Sequence, residues 1–228
     1  MINNNYIDLD YRINTPAEEA YRTLRTNIRF LAFNDKIKTI AVTSYNQGEG
    51  KSTTSKNLGV SFASSGKKTL LIDGDLRKPA LLKEYISLID IGLTNYLSST
   101  ESFNDIIKQT NIPNFFIIPC GPKPPNPAEL VGSAKFKQLL NESEEKFDII
   151  IIDTPPLGSV IDCAIIASQT DGVILVIEAD KADYKKVQRV KEQLEKANAR
   201  ILGVVLNKMK KNEYKSYYSF YNYYGKER

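Results

Sequence analysis

The chain has 228 residues, 42% of them hydrophobic and 25% charged, which suits one well-filled α/β domain with short extensions. Its 31 basic and 27 acidic residues leave a formal charge of +4, too slight to argue for nucleic acid as a partner. Histidine is absent, so any general base must be a carboxylate, a lysine or a chain terminus.

No apolar run approaches the roughly 18–20 residues of a membrane span, and the opening MINNNYIDLDYRI lacks the basic-then-apolar order of a secretory signal. The expected location is the cytoplasm. Residues 1–15 read as an N-terminal extension. In TPAEEAYRTLRTNIRFLAF, Thr15 stands as N-cap, Pro16 at the first helical position and Glu18 three residues after the cap, predicting a helix over 16–33. The pattern then alternates: TIAVTS, a helix over 52–64, TLLIDGD, a turn-rich stretch with short helices, FFIIPCG, a helix over 133–146 and DIIIIDTPP. A short helix near 162–168, GVILVIEAD, a helix over 183–197 and ILGVVLNKM complete it. Near-continuous Val/Ile/Leu strands separated by helices predict a doubly wound, mostly parallel α/β sheet covered on both faces, spanning 16–210. Ligands in such sheets lie beyond the carboxyl ends of the strands, which here read Ser44, Asp73 and Asp75, Asp153, Glu178 and Asp180, and Asn207. Cys120 and Cys163 lack metal or CxxC spacing and are expected to be buried apolar residues.

After the first strand, Gln47, Gly48, Glu49, Gly50, Lys51, Ser52 and Thr53 read as the latter part of a phosphate-binding loop opening a helix. Backbone N–H groups and the helix N-terminus hold phosphate oxygens, Lys51 reaches the β- and γ-phosphates, and Ser52 ligates Mg²⁺. The full GxxxxGK[ST] pattern would place glycine where Tyr45 stands. Asp153, ending the DIIIID strand, is expected beside the Ser52-bound Mg²⁺. Asp73 and Asp75, at i and i+2, supply carboxylates able to act on the metal and as a base. Glu19, Arg22 and Arg25 fall on one helical stripe, which serves either as a solvated, internally paired face or as an assembly element. Lys185, Lys186, Arg189 and Lys191 read as a solvated face.

Six of the thirteen tyrosines, Tyr214, Tyr217, Tyr218, Tyr221, Tyr223 and Tyr224, stand in the last fifteen residues. No period-2 or period-3.6 pattern there would bury their rings, so 211–228 reads as a flexible tail. Taken together, Gly48–Thr53, LLIDGDLRKP, DIIIIDTPP, GPKPPNPAELV, ILGVVLNKM and the terminal tyrosines resemble the bacterial protein-tyrosine kinases of capsule and exopolysaccharide synthesis. The resemblance is to the Gram-positive arrangement of that family, with a separate membrane adaptor.

That resemblance implies a P-loop fold related to the partition and septum-site ATPases, ATP and Mg²⁺ as cofactors, and autophosphorylation of the tyrosine cluster by a neighbouring subunit. Lys51, Ser52 and Asp153 would bind Mg-ATP, Asp73 would be the base, Asp75 would support the metal or the lysine, and Asn207 would recognise adenine. Glu19, Arg22 and Arg25 would build a ring. The implied partners are a polysaccharide co-polymerase-type adaptor that recruits the chain to the inner membrane face, a cognate tyrosine phosphatase and protein substrates. Asn46 stands where partition-type ATPases carry a second lysine, and Gln47 where the kinases usually have proline, a change expected to alter loop stiffness more than chemistry. The competing reading is a regulatory ATPase that phosphorylates no protein.

Overall fold

The computed structural model describes residues 6–11, 13–31, 36–81, 91–181 and 183–210. Its elements run β1 (Tyr6–Ile7), α1 (Thr15–Leu31), β2 (Thr39–Ser44), α2 (Lys51–Ala63), β3 (Thr69–Asp73), α3 (Leu93–Leu97), α4 (Phe103–Ile106), β4 (Lys108–Thr110) and β5 (Phe115–Ile118). They continue with α5 (Pro127–Val131), α6 (Ala134–Lys146), β6 (Ile149–Asp153), α7 (Asp162–Ala167), β7 (Gly172–Glu178), α8 (Tyr184–Lys196) and β8 (Ile201–Asn207). The strands form one sheet in the order β1-β4-β5-β3-β6-β2-β7-β8, parallel throughout except where β4 meets β5.

Strands alternate their side chains between two faces, and both faces are buried here, which is why the central runs are apolar at every position. Ile40, Val42, Leu71, Ile151, Ile174 and Val176 pack against Ile28 of α1 and Leu58 and Phe62 of α2. Their neighbours Ala41, Leu70, Ile72, Ile150, Ile152 and Leu175 pack against Phe136 of α6, Ile166 of α7 and Val190 of α8. Cys120 and Cys163 are buried in this second layer, as their spacing predicted. The register sets Asp73 opposite Asp153, Ser44 opposite Val176 and Glu178 opposite Asn207, so the polar strand ends share one edge.

Two expectations need amending. The cap of α1 is Asn14, whose Oδ1 accepts the Ala17 N–H at 3.0 Å while its carbonyl accepts that of Glu18, placing the helix start one residue before the predicted one. The end predicted at residue 33 lies outside the described residues. Within the supposed extension, β1 pairs with β4, Ile7 and Leu9 are buried in the core, and the Leu9 backbone exchanges bonds of 3.0 and 3.1 Å with the Asn111 side chain. Residues 6–11 therefore pack with the sheet rather than standing apart from it. Residues 211–228, with all six tail tyrosines, lie outside the described residues.

Candidate active site

The turn from β2 into α2 is bound to itself. Ser44 Oγ donates to the Asn46 carbonyl at 2.6 Å. The Glu49 carboxylate accepts the Asn46 backbone N–H at 3.1 Å and its side-chain amide at 3.2 Å. Asn207, at the end of β8, donates from Nδ2 to the Glu49 carbonyl at 2.9 Å. Gly50 has φ +97°, a left-handed conformation, and a Cβ there would overlap the Asn207 amide. Gln47 and Thr53 face solvent, whereas Lys51 is buried at the first turn of α2, where the helix N-terminus favours anions.

Around Lys51 stand three carboxylates with little solvent. Asp153 is 1% exposed; its Oδ1 accepts the Ser55 hydroxyl at 3.1 Å, and its Oδ2 is buried without a hydrogen-bond partner. Burial pushes its pKa up to about 6, against the opposing pull of the Ser52 hydroxyl, the Lys51 charge and Ser55. Asp73, equally buried, also has an unpartnered oxygen, Oδ1. Burial first, then the Asp153 and Asp75 charges, lift its pKa well above the carboxylate range, with Lys51 acting the other way. Asp75 is raised too, chiefly by burial, although its Oδ1 accepts the Arg77 and Lys78 N–H groups at 3.3 and 3.0 Å.

Two buried, unpartnered carboxylate oxygens beside a helix N-terminus fit a hard divalent cation and its phosphate ligands. No three acidic or cysteine side chains among the described residues converge closely enough to cage an ion. That suits Mg²⁺, which takes one or two protein carboxylates and fills its octahedron with water and phosphate.

The AAA domain family model matches residues 37–208, from just before β2 to just after β8. Tyrosine-protein kinase CpsD of Streptococcus agalactiae is 43% identical over 221 residues, covering 96% of this chain and 95% of the relative. The chain belongs to the bacterial protein-tyrosine kinase family. A solved structure, that of the chimerical protein CapA2B2, superposes with a TM-score of 0.82 at 35% identity, covering 91% of this chain and 94% of that one. The cell division ATPase MinD of Pyrococcus furiosus shares the fold at a TM-score of 0.63 and 27% identity, over 74% and 71% of the two chains.

Other motifs of this kinase chain are placed less simply. Arg22 pairs with Glu18 at 3.4 Å and Glu19 at 3.1 Å on the exposed side of α1. Arg25 instead turns inward and donates to the backbone carbonyl and hydroxyl of Ser61, so the three-residue stripe does not stay a single free surface. Lys185, Arg189 and Lys191 are exposed as expected, while Lys186 is half-buried with its ammonium 5.6 Å from the centre of the Tyr45 ring. A shallow depression lies between Tyr45, Asn46 and Glu49 of the loop and the start of α8. No helix among the described residues is long and apolar enough to cross a membrane.

Sequence reasoning missed Asp162. It heads α7, is 1% exposed, and holds Arg77 bidentately through contacts of 2.7 and 2.9 Å. The arginine stands two residues after Asp75, so this pair ties the Asp73–Lys78 turn to α7. Ser55, one turn beyond Lys51 on α2, was also missed; its i+4 spacing from the lysine was the available signal.

Proposed function

We propose that the chain transfers the γ-phosphoryl group of ATP to tyrosine hydroxyls, first those of Tyr214, Tyr217, Tyr218, Tyr221, Tyr223 and Tyr224 on a neighbouring subunit. The observation that carries this reading is the buried Lys51 at the α2 N-terminus, facing Asp73, Asp75 and Asp153. Lys51 and the N–H groups of Gly48–Thr53 would hold and neutralise the β- and γ-phosphates, the larger part of what a loose phosphoryl-transfer transition state needs. Mg²⁺, held through Ser52, Asp153 and Asp75, would neutralise the charge developing on the phosphate oxygens. The tyrosine oxygen forms the new bond to phosphorus as the bond to ADP breaks, and the phenolic proton passes to Asp73. A carboxylate lifted above its ordinary range is the stronger acceptor for that proton.

The same reading gives Glu19, Arg22 and Arg25 a part in assembling subunits into a ring, which brings each tail to a neighbour's site. A membrane adaptor of the polysaccharide co-polymerase type would recruit and activate the kinase at the inner face of the membrane, in control of capsule or exopolysaccharide synthesis. A cognate tyrosine phosphatase would reset it. The likeness to MinD favours one alternative, an ATPase that transfers nothing to protein. Incubation with γ-labelled ATP and Mg²⁺ separates the two. We expect label on tyrosine, abolished by removal of 214–228 and lowered on the order of 10²–10³-fold by Lys51→Met. Phosphate release without protein label would overturn the kinase reading.

A further inference from the structure

We propose that Ser55 is a positioning residue that aims the Asp153 carboxylate and thereby sets the preference of this site for Mg²⁺ over larger divalent ions. The proposal rests on the Mg-nucleotide reading of the site. Ser55 lies on α2, one turn beyond Lys51, and is wholly buried. Its hydroxyl has two acceptors within reach, the Lys51 carbonyl at 3.0 Å and Asp153 Oδ1 at 3.1 Å, but only one hydrogen to give. The Lys51 carbonyl has another donor in the backbone N–H four residues on, as carbonyls inside a helix do, and a bond to an ionised acceptor is the stronger of the two. The hydrogen therefore goes to Asp153 when that carboxylate is charged.

Ser143 gives the comparison. It is equally buried, in α6, and its hydroxyl donates to the Leu139 carbonyl at 2.7 Å, the usual way a buried helix serine is satisfied. Ser55 has the same local option and in addition meets a carboxylate 98 residues away. A carboxylate turns easily about its last torsion, and a bond to one oxygen from a rigid helix removes that freedom. With Oδ1 held, Oδ2 is left buried and without a hydrogen-bond partner, the oxygen that can meet a cation directly or through one of its waters. Ser52, three residues earlier on the same side of α2, acts on the same carboxylate. The first turns of one helix thus carry Lys51, the hydroxyl assigned to the metal and the hydroxyl that aims Asp153, so helix geometry sets their spacing. Mg²⁺ demands a near-ideal octahedron at short distances, whereas Ca²⁺ accepts longer and less regular ones. A fixed carboxylate favours the stricter ion, and freeing it costs Mg²⁺ more than Ca²⁺.

Calorimetric titration of wild type, Ser55→Ala and Ser143→Ala tests this, first with ADP in EDTA, then with Mg²⁺ and with Ca²⁺ at saturating ADP, beside thermal unfolding of each unliganded protein. Ser55→Ala should bind metal-free ADP as wild type does. It should lose about ten-fold in Mg²⁺ affinity, the lower end of what the loss of a ligand-orienting partner costs, and less in Ca²⁺ affinity, so the Mg²⁺/Ca²⁺ ratio falls. Ser143→Ala, which loses a back-bond of the same kind far from the carboxylates, should move the unfolding curve only. Equal losses for the two ions, or a loss already present with metal-free ADP, would make Ser55 merely structural and overturn the proposal. So would an unchanged Mg²⁺ affinity in folded Ser55→Ala, or an equal fall of the ratio in Ser143→Ala. A wild type that binds no ADP with or without metal would sink the nucleotide reading itself, and the role of Ser55 with it.

Discussion

Breaking the Arg77–Asp162 pair from its two sides should give unequal losses of stability. The Asp162 side chain is 2% exposed and that of Arg77 39%. Replacing Arg77 by Met strands a buried carboxylate, and an uncompensated buried charge of this kind costs about 3–5 kcal/mol. Replacing Asp162 by Asn keeps the shape and leaves a guanidinium that can turn to water, so the loss falls to that of a charge-assisted hydrogen bond weakened to a neutral one, about 1 kcal/mol. The Arg77→Met/Asp162→Asn double variant should then be more stable than Arg77→Met alone, because the stranded charge is gone. Urea unfolding at neutral pH with a constant denaturant slope measures all three. Asp162→Asn costing as much as Arg77→Met would refute the argument, as would a double variant at the sum of the single losses.

Asp153 gives a pH signature. Its folded pKa of about 6 lies above the ordinary carboxylate value, so the folded state holds the proton more tightly, and this group's contribution to stability declines as pH rises from about 4 to 6. The shift is worth roughly 3 kcal/mol at most. Melting curves across pH 4–8 should show that decline in wild type and its loss in Asp153→Asn; identical profiles in the two proteins would contradict it. On α1, Arg25→Ala should lower the melting temperature of the monomer by removing the tie to Ser61, whereas Arg22→Ala, which breaks exposed pairs worth about 0–1 kcal/mol, should barely move it. Scanning calorimetry at low concentration checks this, and equal effects from the two substitutions would count against an internal role for Arg25.

Local signals made the larger part of this molecule readable. The central strands β2, β3, β6 and β7 announce themselves because burial on two faces favours apolar residues along their length, while β8 reads as a strand from its Ile/Leu/Val run although Val204 and Leu206 are exposed; the strand-end residues Ser44, Asp73, Asp153 and Asn207 break the pattern where the site lies. The glycine-rich turn was visible for a similar reason, since Gly48 at φ +85° and Gly50 at φ +97° occupy backbone that other residues avoid. What escaped reading is non-local or short. Arg77 and Asp162 are 85 residues apart, and Asn207 and Glu49 are 158 apart, so no spacing rule connects them. β1 and β4, with two and three residues, are too brief to show a period. Asn14 and Thr15 are adjacent residues of the capping type, and only the Ala17 N–H bonded to Asn14 decides between them.

The absence of histidine gives the carboxylate cluster its physical interest. A proton acceptor for tyrosine, whose ordinary pKa is near 10, works best when its own pKa approaches the working pH. An exposed aspartate, near 4, is poorly matched. Burying Asp73 with Asp153 and Asp75 close by raises its pKa by the two routes open to a carboxylate, desolvation and like charge. The same crowding leaves oxygens of Asp73 and Asp153 unpartnered, with Lys51 the buried positive charge beside them among the described residues, so these groups alone leave the negative charge unbalanced. On the proposed reading, the tuning that would suit Asp73 to take a proton would also create the demand for a cation. In a chain without histidine, the proposed base and metal site would be set by a single arrangement of charge, and substituting Asp153 should then disturb proton transfer as well as cation affinity.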